Sequence, residues 1–228
     1  QIQDAKGLSE ELSQNDRVIL RNDSFEIECK RDEEYLISAV SRRKRPELKG
    51  YLTSGVNFEI DDCDAYSAFF ALYSKGMESL GIQKSHFYSE EEMCVFLGME
   101  NTHLFSAHVD GRVVLVHLIG LSDSKKRAEF VFSGFDANIS RGHSAKLLWF
   151  SILKLKDMGI EYYHLGGGIT RDDGLENFKR QLGGQRLLNF CVKLVNQPNV
   201  YEKCLEHVKH LLYFRKNTVN TEVKRKHY

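Results

Sequence analysis

Leu104-Phe-Ser-Ala-His-Val109, then Asp110-Gly111, then Val113-Val-Leu-Val-His-Leu-Ile-Gly-Leu121 is the stretch on which the fold turns. Two apolar runs flank a dipeptide that supplies the positive φ angles of a tight two-residue turn, the signature of a β-hairpin. A polar turn at Ser122–Lys126 leads to a third run, Ala128–Phe135, so three strands form an antiparallel meander.

After Asp136 the pattern changes. The loop Ala137–His143 opens a segment of helical spacing, about Ser144–Met158, which is apolar on more than one face through Leu147, Leu148, Trp149, Ile152 and Leu155. Gly159 ends it, and Glu161–Leu165 reads as a strand again. Strand, helix and strand in that order make a crossover, which as a rule is right-handed and joins parallel strands. Gly166-Gly167-Gly168 follows, then a helix over about Leu175–Leu182, a strand over about Arg186–Leu194, an amphipathic helix around Val200–Phe214 and a basic tail.

Working back from the hairpin, Ser89 and Glu92 are spaced as a capping box, and Asp64 can cap a helix running to about Leu80 on Phe69, Phe70, Leu72, Tyr73 and Met77. Val56–Ile60 alternates as a strand. Asp32 to about Lys44 is helical in pattern and stops at Arg42-Arg43-Lys44-Arg45-Pro46, while Val18–Leu20 and Phe25–Cys29 read as short strands around Asn22-Asp23-Ser24. The class is α+β, a mixed and mostly antiparallel sheet flanked by helices. The expected organisation is an N-terminal extension over 1–55, a domain over 56–195, and a C-terminal helix with basic tail over 196–228.

Composition narrows the function classes. Lys+Arg and Asp+Glu both number 32, so whole-chain charge gives no steering towards DNA or RNA. Five cysteines (Cys29, Cys63, Cys94, Cys191 and Cys204) are odd in number and hold no C-x-x-C pair, the usage of a reducing compartment, and the cytoplasm is expected. No apolar run approaches the ~20 residues of a membrane helix. The chain opens at Gln1, so further sequence is expected ahead of it. No metal is expected: His207-x-x-His210 has no third ligand nearby, and H-E-x-x-H is absent. A G-x-S-x-G elbow and a dinucleotide fingerprint are absent too.

Two segments can carry chemistry. Arg141-Gly142-His143-Ser144-Ala145 lies where a helix N-terminus presents unpaired N–H groups, a setting for phosphate or for an ordinary capped helix. Asp173 and Glu176 form a D-x-x-E cap. Phe178 shares a face with Leu175 and Leu182, as core residues do, and Lys179 lies about 100° round from it. His164 has the intrinsic pKa of a general base and equally suits a buried core histidine; Asp172 is the second candidate.

The run Ile139-Ser140-Arg141-Gly142-His143-Ser144 resembles a degenerate form of the Q/R-x-x-G-x-G/A loop with which GNAT enzymes grip the pyrophosphate of coenzyme A. Its first Gly is kept, its second is Ser, and its leading position is Ile. Tyr163-His164-Leu165-Gly166-Gly167-Gly168, Asp172-Asp173-Gly174-Leu175, Phe178-Lys179 and Gly183-Gly184 together resemble the FemABX-like branch of that superfamily, over roughly residues 40–195.

The resemblance implies a GNAT-like fold and an acyltransferase acting on an amine of a cell-envelope precursor, a peptidoglycan peptide or an amino sugar carried on a lipid or nucleotide. The implied donor is acetyl-CoA or another acyl-CoA. Aminoacyl-tRNA is the runner-up, less favoured by the zero net charge. By the same resemblance Lys179 lies at the donor site, Phe178 and the Arg141–Ala145 loop bind the donor, and Arg42, Arg43 and Arg45 meet acceptor phosphates or form a solvated helix end. A backbone N–H near Ser133-Gly134-Phe135 would serve as oxyanion donor, with Gly134 able to accommodate a bulge. The alternative from another class is a non-catalytic GNAT-like module in envelope polysaccharide assembly. The decisive geometry is a gap between the strand ending near Asp136 and the strand ending at Leu165.

Overall fold

The computed structural model describes residues 17–20, 23–53, 55–122, 124, 126–140, 142–168, 173–193 and 195–209. The chain divides into two compact units: Asn22–Leu188, and the described parts of Gln1–Arg21 with Asn189–Tyr228. In the second unit β1 (Arg17–Leu20) pairs antiparallel with β9 (Phe190–Lys193), and residues 198–209 are helical (α7).

The larger unit is built outward from the hairpin. β4 (Thr102–Val109) and β5 (Arg112–Leu121) meet across Asp110 and Gly111, whose φ values of 49° and 72° are those the Asp-Gly pair was expected to supply. β3 (Val56–Ile60) adds to β4 and β6 (Arg127–Phe135) to β5, all antiparallel. Helix α5 (Ser144–Asp157) crosses over to β7 (Tyr162–Gly167), which pairs parallel with β6. β2 (Ser24–Ile27) and β8 (Gln185–Leu187) complete the order β3-β4-β5-β6-β7-β2-β8. The remaining helices are α1 (Glu33–Ala39), α2 (Arg45–Lys49), α3 (Cys63–Ser79), α4 (Glu90–Leu97) and α6 (Gly174–Gln181).

Helices cover both faces of the sheet, which is why β5 is apolar without alternation. Leu115 and Ile119 face the core cluster that holds α5 through Leu147, Trp149, Ile152 and Leu155. Val116 and Leu118 face the opposite cluster, where α3 contributes Phe69, Leu72 and Tyr73 at helical spacing. Gly134 on β6 lets α3 approach: a Cβ there would lie 2.7 Å from the Tyr73 backbone nitrogen.

Several expectations change. The segment expected as an N-terminal extension supplies β2 to the main sheet, while β1 belongs to the two-stranded sheet with β9. Asp62, not Asp64, caps α3, because its carboxylate is the one that accepts from the Ala65 N–H. The basic helix is two short helices with Arg42–Lys44 as the turn between them, and Pro46 falls in the first turn of α2, where a missing N–H costs nothing. The strand expected over Arg186–Leu194 is split between β8 and β9.

One polar residue interrupts the apolar run of β5. His117 is 4 % exposed, its Nδ1 has no partner among the described residues, and burial pulls its pKa from 6.5 down to about 3. The imidazole is therefore neutral in the fold, while the unfolded chain takes up a proton below about pH 6.5. Stability is complete above that pH and falls as pH drops towards 3, by about 1.4 kcal/mol per unit at most. His117→Leu should flatten this acid limb in melting temperature measured against pH. Gly134→Ala should lower unfolding free energy in urea by about 1–3 kcal/mol through overpacking against α3.

Candidate functional site

β6 and β7 are hydrogen-bonded neighbours over only three residue pairs, Arg127↔Tyr162, Ala128↔Tyr163 and Glu129↔His164. Beyond them β6 stays on β5 as far as Phe135, while β7 runs on beside β2. A bulge marks the parting: Leu118 opposes Phe132 and Ile119 opposes Phe130, so Val131 is the extra residue and β6 bends there. The wedge between the strands is a cavity of about 590 Å³. Its walls come from β5 and β6 (His117, Phe130, Ser133), the start of α5 (Ser144, Leu148), β7 (Leu165) and α6 (Leu175, Phe178, Lys179).

The glycine run sets α6 against this wedge. Gly166 has φ of 69°, in the left-handed region that glycine tolerates. A Cβ on Gly168 would come within 2.7 Å of the Asp173 carboxylate, so glycine lets the strand end pass close to the helix start. Asp173 caps α6 by accepting from the Glu176 N–H, as its spacing anticipates. One turn further on, Lys179 is 8 % exposed and donates from Nζ to the Gly167 carbonyl at 2.7 Å. Burial lowers its pKa, and the nearby Asp173 and Glu176 carboxylates act in the opposite sense.

The start of α5 forms another wall. Gly142 has φ of 89°, His143 occupies the N-cap position without a side-chain cap bond, Ala145 is buried and Ser144 lines the cavity. Ser144 is thus the first helical residue rather than the cap.

Gly134 is not a free oxyanion donor. Asp136 donates to the Val114 carbonyl, which makes that opposed pair a bonded one. Alternation along the antiparallel ladder then makes Gly134–Val116 bonded as well and turns the N–H groups of Ser133 and Phe135 towards the open side. The bulge lies at Val131, and the role of Gly134 is the close approach of α3.

The other expected residues are distributed unevenly. Phe178 and Lys179 reach the cavity with Ser144, whereas His164 is tied through Nδ1 to Glu129 and is not among the lining residues. Arg141 and Asp172 lie outside the described residues. Arg42 and Arg43 are exposed in the turn before α2; Arg45 donates to the Val40 and Ser38 carbonyls, so its guanidinium closes the end of α1. His117 reaches the cavity unanticipated, and its only signal was a polar residue inside an apolar strand. Glu59, Asp62 and His108 bring ligand-type atoms within 4.8 Å of one another, but Asp62 is already engaged as the α3 cap and by the Ser106 hydroxyl.

Neither a protein-family model nor a curated protein sequence matches the chain. Among solved structures it is similar to FemX, with a TM-score of 0.66 and 15% identity over 88% of this chain and 69% of that one. It is similar to the C-terminal domain of an Agrobacterium fabrum protein assigned as a lysylphosphatidylglycerol synthetase, at TM-score 0.63, 14% identity and coverage of 85% and 66%. L-PGS from Bacillus licheniformis matches at TM-score 0.59 and 11% identity, covering 85% of this chain and 66% of that one. The chain thus spans about two thirds of the length of these structures. The mixed seven-stranded sheet, its parting between β6 and β7, and these likenesses establish the GNAT-like fold in its FemABX-type form.

Proposed function

We propose that the chain is an N-acyltransferase, in which an acceptor amine attacks the carbonyl of a donor lodged between β6 and β7. The observation that carries this reading is the parting of two neighbouring strands after three residue pairs, with a buried lysine on the wall of the resulting cavity. The amine nitrogen bonds to the carbonyl carbon, and the carbon–sulfur bond of a thioester breaks. The thiolate leaves with the electron pair and takes up the proton that the nitrogen sheds. No covalent enzyme intermediate is needed. The protein supplies placement and a preorganised field.

Lys179 acts through its charge, on a donor phosphate or on the developing oxyanion. The N–H groups of Ser133 and Phe135 are the backbone donors of this reading, in place of that of Gly134. Donor phosphates lie at the start of α5, near Gly142, His143, Ser144 and Ala145, with Arg141 adding a cation, and Phe178 packs along the donor. With His164 tied to Glu129, Asp172 stands as the base that takes the nitrogen's proton and passes it on to the leaving thiolate. Arg42 and Arg43 meet phosphates of a lipid- or nucleotide-linked acceptor, an amine on a cell-envelope precursor. Acyl-CoA is the first donor. Aminoacyl-tRNA is the second, favoured by the likeness to FemX and to proteins whose name joins a lysyl group to phosphatidylglycerol. Among the described residues no helix is long and apolar enough to cross a membrane, and the reading assigns the reaction to the cytoplasm.

An acyl-CoA at a hundred times its dissociation constant should raise unfolding free energy by about 2.7 kcal/mol, read as a thermal shift. Lys179→Ala should lower kcat about 10²–10³-fold while retaining a cooperative melt. Unchanged turnover would remove Lys179 from the site. No shift with any acyl-CoA together with no transfer from charged tRNA would favour the non-catalytic module.

A further inference from the structure

We propose that His117 is a binding residue for the acyl donor, its imidazole donating a hydrogen bond through Nε2 to a carbonyl oxygen of the molecule lodged in the wedge. The inference rests on the transferase reading and adds a contact to the same site.

His117 occupies a costly position for a histidine. It stands between Leu115 and Ile119 on the α5 face of β5, opposite Phe105 of β4 and Ser133 of β6, where periodicity asks for another leucine. A buried polar atom without a partner gives up its hydration and gains nothing in exchange, and Nδ1 is such an atom among the described residues. A core histidine would hold both its nitrogens in the packing. The ring of His117 instead forms part of the cavity wall, so the polar group lies where a guest can reach it.

The two nitrogens differ in what surrounds them. Nδ1 is enclosed, whereas Nε2 is not enclosed and forms no hydrogen bond among the described residues. Burial holds the pKa near 3, so the ring is neutral at physiological pH and carries one proton. On Nδ1 that proton would be an enclosed N–H without an acceptor; on Nε2 it leaves the enclosed atom only a bare lone pair, the smaller loss. The proton therefore belongs on Nε2, and the Phe130 ring, 4.9 Å away between centroids and inclined at 69°, packs against the imidazole. The result is an uncharged N–H donor open to the wedge, beside the strand from which Ser133 turns its own N–H the same way. Its complement is an oxygen acceptor. Every donor of the proposed reaction brings a reacting carbonyl, and coenzyme A adds the amide carbonyls of its arm.

The test is titration calorimetry of the full chain and of its His117→Phe and His117→Gln variants, with acetyl-CoA and with S-ethyl-CoA, the thioether that has a methylene in place of the reacting carbonyl. His117→Phe keeps a ring and removes the N–H, and should bind acetyl-CoA about tenfold more weakly while melting cooperatively. His117→Gln returns a neutral N–H and should recover most of that loss, a rescue that a purely structural role would not give. If His117→Phe leaves S-ethyl-CoA binding untouched, the acceptor is the reacting carbonyl. If it weakens both ligands equally, the acceptor is an amide of the arm; either outcome supports the inference. Should His117→Phe not fold, His117→Leu takes its place in the same comparison. If the wild type binds no CoA ester but prefers leucyl-tRNA to uncharged tRNA in filter binding, His117→Phe should abolish that preference and His117→Gln restore it. A folded variant without the N–H that binds as tightly as the wild type, or a loss that glutamine does not relieve, would overturn the inference and leave the transferase reading standing. Failure of the wild type to bind any of these donors would overturn both.

Discussion

The molecule depends on β6 having two incompatible neighbours. It keeps its ladder with β5 along almost its whole length, yet accompanies β7 for only three residues before the Val131 bulge turns it aside. A buried backbone that leaves one partner must find another, since an unsatisfied N–H costs about 1–3 kcal/mol. The N–H groups of Ser133 and Phe135 are turned towards a cavity instead of a strand, and in the proposed reaction they meet the carbonyl oxygen of the donor. Mixed pairing is thus more than a label for the sheet. It produces the site.

The hairpin and the crossover were legible in the sequence because each rests on local chemistry. Asp110-Gly111 specifies its own turn, and the unbroken apolar run of β5 announces a strand covered on both faces. The bulge was not legible, since Phe130-Val131-Phe132 carries neither glycine nor a turn residue and the extra residue appears only as register against β5. The strand partner of β2 was hidden for a related reason: pairing between Ser24–Ile27 and β7 joins residues far apart in the chain. Asp62 and Asp64 are equally good caps by type, and only the reach of a carboxylate to the Ala65 N–H separates them.

Lys179 and Phe178, which only the family resemblance assigned to the donor, line the cavity because the glycine run sets α6 against β7. His117 could not, because periodicity treats a histidine among valines and leucines as a core residue. Arg45 illustrates the opposite error. Its charge drew attention, and the structure uses its donors on the Ser38 and Val40 carbonyls. Charge elsewhere gathers at the closed end of the wedge, in pairs such as Arg127–Glu26, Lys126–Glu161 and Lys30–Glu28. Exposed pairs of this kind contribute little individually, so the backbone pairing holds that end shut.

The two sides of the wedge are anchored by different means. On the β6 side α3 is seated backbone to backbone on Gly134, and the Phe135 ring lies 2.8 Å from where a Cβ of Gly76 would stand. On the other side α6 is moored at one point by the Lys179–Gly167 bond and at its far end by the Ser41 N–H on the Gln181 carbonyl, with Gly183 and Gly184 packed close to Ala39 and Phe25. Each wall is thus pinned to a separate part of the sheet, so a substitution that loosens one leaves the other in place.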